Sequence, residues 1–136
     1  MKTLIIGDIH GCYRELLDLL DRAALAKDDR LIAIGDIVNR GPDSRRSLAF
    51  FQKRPPQRAF SIMGNHEHGH IQAHERGKRR PALSLLLARW QFNDSYADAI
   101  AYMKQMPLYL DLPEALLVHG YIEPGIPLDK QKRRVL

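Results

Sequence analysis

Cysteine is almost missing from this sequence: Cys12 is the only one among 136 residues. A lone thiol cannot close a disulfide within the chain, so a reducing, cytoplasmic setting is expected and the core must rest on burial and hydrogen bonds. Cys12 itself reads as a small buried residue. Long apolar runs are missing too. No stretch approaches the roughly 18 residues that a membrane-spanning helix needs, and too few apolar residues precede Asp8 for a signal peptide. Aromatic residues are sparse, at 7%. None interleave with the basic residues Arg76, Lys78, Arg79 and Arg80 or Lys130, Lys132, Arg133 and Arg134. Despite a net charge of +5, specific nucleic-acid binding is therefore not expected; both runs read as solvated loops, compatible with attraction for polyanionic substrates.

What is present is the composition of a globular protein, 45% apolar and 27% charged. Its length suits one domain, residues 1–136. Thr3 to Ile6 and Leu31 to Ile34 are apolar, β-branched runs that each end in Gly-Asp, as buried strands delivering an acid to an edge would. Between them Leu16, Leu17, Leu20 and Ala24 recur at helical spacing, opposite Arg14, Glu15, Asp18 and Asp21. Gly41-Pro42-Asp43-Ser44 turns the chain and caps a helix through Phe50 that stops before Pro55-Pro56. Ala59 to Met63 reads as a third strand. Residues 81–105 read as two helical pieces broken near Asn93, and Leu108 to Leu112 and Ala115 to Val118 as two further strands. The alternation predicts an α/β fold with functional groups on loops after strands.

Four such loops concentrate metal-capable side chains: Gly7-Asp8-Ile9-His10-Gly11, Gly35-Asp36-Ile37-Val38-Asn39-Arg40-Gly41, Gly64-Asn65-His66-Glu67 and Val118-His119-Gly120. Asp8 and His10 can face one ion, because the flanking glycines permit unusual backbone angles. Their oxygen and imidazole donors suit Mn, Fe or Zn better than Ca. Asp36 could bridge to a second ion completed by Asn65 and His119. Two such ions would clamp a phosphoryl group, with Arg40 holding its oxygens through a planar fork and His66 protonating the leaving oxygen.

These segments resemble the calcineurin-like metallophosphoesterases, whose pattern runs G-D-x-H-G, G-D-x-x-D-R-G, G-N-H-E/D and then two later His motifs. The stretch from His119 to Leu128, with Gln131, is similar to the H-A-G-x-x-P-G-x-P-L-x-x-Q segment of the bacterial branch related to serine/threonine protein phosphatases and symmetrical diadenosine tetraphosphatases. The resemblance implies an αββα sandwich. It further implies two divalent ions, one held by Asp8, His10 and Asp36 and the other by Asp36, Asn65 and His119, with Arg40 binding phosphate and His66 as general acid. The implied reaction is attack of a metal-bridged hydroxide on a phosphate ester or phosphoanhydride, in a phosphoprotein or a dinucleoside polyphosphate.

The sequence departs from that pattern in three places. Asn39 replaces the Asp that pairs with the catalytic His, which implies weaker acid catalysis. Met63 stands where eukaryotic-type protein phosphatases carry a second phosphate-binding Arg, which favours the nucleotide-polyphosphatase or general bacterial phosphatase reading. No His follows His119, so the implied second site lacks a late ligand; the expectation is a fragment or truncated product with a sandwich incomplete at its C-terminal end. A non-catalytic metal-binding or interaction remnant is the alternative. A zinc-protease motif, His66-Glu67-His68-Gly69-His70, is set aside because Gly69 should interrupt the continuous helix it needs. His68, His70 and His74 are expected on a polar helix face or substrate rim.

Overall fold

A computed structural model describes residues 1–77 and 81–132. Lys78, Arg79, Arg80, Arg133 and Arg134 of the basic runs lie outside the described residues. Three short strands, β1 (Thr3–Ile6), β2 (Arg30–Ala33) and β3 (Ala59–Ser61), form a parallel sheet with β2 in the centre. Helices α1 (Tyr13–Ala23) and α2 (Ser44–Gln52) make the two crossovers and pack against each other. Two crossovers of the same hand along the strand order β1-β2-β3 would place both helices on one face.

The sheet register explains which residues that face buries. Leu4 pairs with Leu31 and Leu31 with Ala59, while Ile6 pairs with Ala33 and Ala33 with Ser61. Because side chains alternate, these rows share one face, and Ile6, Leu31, Ala33 and Ala59 join Leu16, Leu48 and Phe51 in the main core. The opposite face carries the row Ile5, Ile32 and Phe60. Ile32 is fully buried there, but Ile5 on the edge strand is 42% exposed, so the apolar run of β1 is covered on one side only. Leu17 of α1, expected inside, is also exposed.

Beyond the sheet come α3 (Asn65–Arg76), α4 (Leu83–Phe92), α5 (Tyr96–Met103) and an antiparallel hairpin of β4 (Tyr109–Asp111) and β5 (Leu116–Val118). Asn93, at φ 48°, ends α4 and opens a short 3₁₀ turn leading into α5; the expected break is there. Phe92, Tyr96, Ile100 and Met103 extend the core between these helices. Helix α3 runs without interruption through Gly69, contrary to the expected break. One glycine costs a helix only about 1 kcal/mol, which the burial of Glu67, His70 and Ile71 on that helix outweighs. Among the described residues no helix is long and apolar enough to cross a membrane.

Candidate metal centre

Parallel strands bring their C-terminal ends to one edge, and there the loops after β1, β2 and β3 meet. Ile9 and His10 donate backbone N–H to Asp36 O at 3.0 and 2.9 Å, Gly11 donates to Ile37 O at 2.7 Å, and Gly41 returns to His10 O at 2.8 Å. The backbone bends sharply to do this. His10, Asp36, Asn39 and Arg40 all have left-handed φ, from 48° to 73°, a conformation that costs an L-residue about 1–2 kcal/mol. Gly64 has no such freedom to trade: a Cβ there would collide with the Asp36 carboxylate and backbone.

Glu67 fastens the loops together. Fully buried, its carboxylate accepts N–H groups from Asp36, Ile37, Val38 and Gly64 at 2.8–3.1 Å. Burial, followed by the charge of Asp36, pushes its pKa up, and these N–H bonds pull against that. Every partner is a donor, so both oxygens act as acceptors, as an ionised carboxylate's do. Glu67 is therefore not placed to serve as a protease base, which removes the zinc-protease reading on firmer ground than Gly69 did.

Asp36 Oδ2 is the hub of the cluster. It lies 3.4 Å from His119 Nε2, 3.9 Å from His10 Nε2 and 3.9 Å from His66 Nε2. Asp8 Oδ2 is 3.4 Å from His10 Nε2, and Asn65 Oδ1 is 2.9 Å from His119 Nε2. The donor atoms of His10, Asp36 and His66 fall within 4.8 Å of one another, as do those of Asp8, Asp36 and His119. All five expected metal residues thus meet at one edge, with His66 beside them.

The chemistry of these donors suits cations. His10 Nδ1 faces Val38 O at 3.2 Å and His119 Nδ1 faces Ile34 O at 2.7 Å. A carbonyl only accepts, so each Nδ1 carries a proton and each Nε2 is turned toward the carboxylates, the arrangement usual for metal-binding imidazoles. Arg40 Nη1 donates to His10 Nε2 at 3.1 Å. His119 Nε2, among the oxygens of Asp36 and Asn65, is satisfied by a second proton or by a cation. The bond to Asp36 accordingly pushes its pKa up to about 9, against burial. For Asp36 itself burial acts upward, but bonds from His119 and the His66 N–H hold the pKa below the usual carboxylate value.

Behind His66 runs a buried chain of hydrogen bonds. Asn39 Nδ2 lies 2.7 Å from His66 Nδ1, Asn39 Oδ1 is 2.7 Å from His70 Nε2, and His70 Nδ1 is 3.0 Å from the Tyr96 hydroxyl. With the amide so placed, Tyr96 donates to His70, His70 to Asn39 and Asn39 to His66. His70 is fully buried, which corrects its expected place on a polar rim. Its pKa falls to about 4, through burial first and then the charges of His66 and Arg89. Burial also lowers the pKa of His66, in opposition to Asp36. Cys12 is half-buried rather than buried, with Sγ 3.8 Å from His10 O.

Sequence reasoning missed the roles of Glu67, His70, Tyr96 and Gln91. Gln91 accepts from Ser44 N at 2.7 Å and donates to Gly41 O at 3.1 Å, tying α4 to the loop that bears Arg40. Only Glu67 had a signal, its place in the Gly-Asn-His-Glu motif.

A protein of Shewanella putrefaciens named symmetrical bis(5'-nucleosyl)-tetraphosphatase is 34% identical over 132 residues, covering 95% of this chain and 47% of its own length. One of the same name from Janthinobacterium is 36% identical over 127 residues, covering 91% and 45%. This chain therefore spans about half the length of the curated relatives it matches. A crystal structure provisionally described as a diadenosine tetraphosphatase superposes with a TM-score of 0.78 at 30% identity, covering 96% of this chain and 55% of that one. The family model for calcineurin-like phosphoesterase matches residues 1–134. This chain belongs to the calcineurin-like phosphoesterase family.

Proposed function

We propose that this chain carries the metal-binding half of a two-metal phosphoesterase site and hydrolyses phosphoanhydrides of dinucleoside polyphosphates, with phosphoprotein esters as the other substrate class. The observation that carries the reading is the pair of imidazoles, His10 and His119, whose Nδ1 atoms face backbone carbonyls while both Nε2 atoms face Asp36. Asp8, His10, Asp36, Asn65 and His119 would hold two divalent ions, for which manganese is favoured over iron or zinc. When bound, such ions supply positive charge for the phosphoryl oxygens and make water a better nucleophile at neutral pH. Arg40, exposed at the rim, orients phosphate oxygens through its planar guanidinium. His66 presents Nε2 toward the same centre, where it donates a proton or hydrogen bond to the leaving oxygen.

The nucleotide reading draws on the printed names of the relatives and on Met63, which offers no second arginine. The single cysteine supports a cytoplasmic setting. One observation favours a second reading, a metal-binding chain without turnover: Asn39 leaves Nδ1 of His66 without the carboxylate partner that would keep the ring protonated as a general acid.

Metal analysis paired with a turnover assay on diadenosine tetraphosphate tests the proposal. Two bound ions and metal-dependent turnover are expected, with Asp36→Asn losing both. Substantial turnover in that variant refutes the site; bound metal with no turnover in the parent chain selects the second reading.

A further inference from the structure

We infer that the groove between α2 and the outer side of α4 binds the distal nucleoside and phosphates of a nucleoside polyphosphate. The inference rests on the hydrolytic reading above for its substrate class. The groove measures about 590 Å³, and Pro42, Asp43, Arg45, Lys53, Trp90 and Gln91 are among the residues that line it. Trp90 is 81% exposed, an unusual setting for a large apolar ring. A flat aromatic surface beside guanidinium and ammonium groups is what a base linked to phosphates requires: stacking recognises the base, and cations recognise the phosphates.

Three features separate this groove from an ordinary solvated face. First, its charge is unbalanced. Asp43 is already engaged, accepting Arg46 N–H at 3.0 Å and facing the Arg46 guanidinium at 3.5 Å. Among the described residues Arg45 and Lys53 enter no ion pair. Second, the helix that carries the indole is anchored beside it, because the neighbouring Gln91 is bonded at both ends of its amide to Gly41 and Ser44, so the backbone on this side needs little ordering on binding. Third, the groove starts close along the chain to the loops that carry the site residues. Pro42 follows Arg40 by two residues, within about 7 Å along the backbone, and Asp43 N–H bonds to Gly11 O at 2.9 Å. A polyphosphate whose reacting end lies at Arg40 would run past Pro42 toward Arg45 and Trp90. The groove thus selects substrates with a nucleoside beyond the cleaved bond over simple phosphomonoesters.

Leu83, Leu86 and Leu87 are also exposed on α4, so self-association through that helix is the competing outcome. Trp90 is the chain's only tryptophan, and its fluorescence reports on both. Titrations in EDTA should show saturable quenching by diadenosine tetraphosphate and by ATP. Tripolyphosphate should compete without quenching, and adenosine should bind at least about tenfold more weakly than ATP. Arg45→Ala combined with Lys53→Ala should weaken nucleotide binding at least about tenfold, and calorimetry on Trp90→Ala should show a comparable loss that Trp90→Phe partly restores. Absence of saturable quenching, equal binding in the Arg45/Lys53 variant, or a spectral change that follows protein concentration instead of nucleotide overturns the inference. Because metal is removed, failure here is distinct from failure of hydrolysis, which is read by turnover with metal present.

Discussion

With Asn39 donating to Nδ1, the His66 ring keeps its proton on Nε2 and stays neutral at physiological pH, a state that burial also favours. A neutral imidazole N–H is a useful hydrogen-bond donor but a feeble acid. A carboxylate at position 39 would instead accept the Nδ1 proton and stabilise the imidazolium, while still accepting from His70. Asn39→Asp should therefore raise turnover by about tenfold or more, within the range that positioned acids contribute, and move the fall of activity on the alkaline side to higher pH. An unchanged or lower rate in steady-state assays across pH would count against this pairing.

The elements around the site differ in how much of them could be read in advance. That Asp8, His10, Asp36, Asn65 and His119 come together was legible because each follows an apolar run closely, in a short loop or, for Asn65, at the start of α3, and that spacing survives in one dimension. His70 and Tyr96 were not, because their contact joins α3 to α5 across 26 residues and leaves no local pattern. The same holds for Gln91, which reaches back 50 residues to Gly41. Gly69 misled for a related reason: its propensity is local, whereas the packing that keeps α3 helical is not. Ala24, which ends α1 with φ 45°, is a local feature with a local consequence. Its Cβ is strained in the left-handed region that glycine adopts freely. Ala24→Gly should stabilise the protein by about 0.5–1 kcal/mol, the strain relieved less the extra chain entropy of glycine; urea unfolding that shows no gain would contradict this.

For the whole molecule, cation binding and protonation compete at the edge where the sheet meets the β4–β5 hairpin. In the metal-free protein the raised pKa of His119 makes its pairing with Asp36 fully stabilising below about 6.5, and this contribution is lost as pH rises through about 9. A divalent ion bound at Nε2 displaces that proton, so metal affinity should climb with pH across this window and level off above it. Calorimetry in buffers of different ionisation enthalpy should find about one proton released per chain near pH 7, on filling the site that includes His119. His119→Ala should abolish the release, and its persistence in that variant would remove His119 from the ligand set.

The carboxylate of Glu67 has a consequence for motion. Amide hydrogens in a loop ordinarily exchange with solvent quickly, yet those of Asp36, Ile37, Val38 and Gly64 are all held by one buried side chain on α3. Opening any one of the four strips a donor from a buried charged group. They should exchange together, at rates closer to those of β2 than of a loop, and only when α3 withdraws from the sheet. Deuterium uptake would then register the site-bearing loops and α3 as one cooperative unit, so the geometry around Asp36 persists for as long as that helix stays docked.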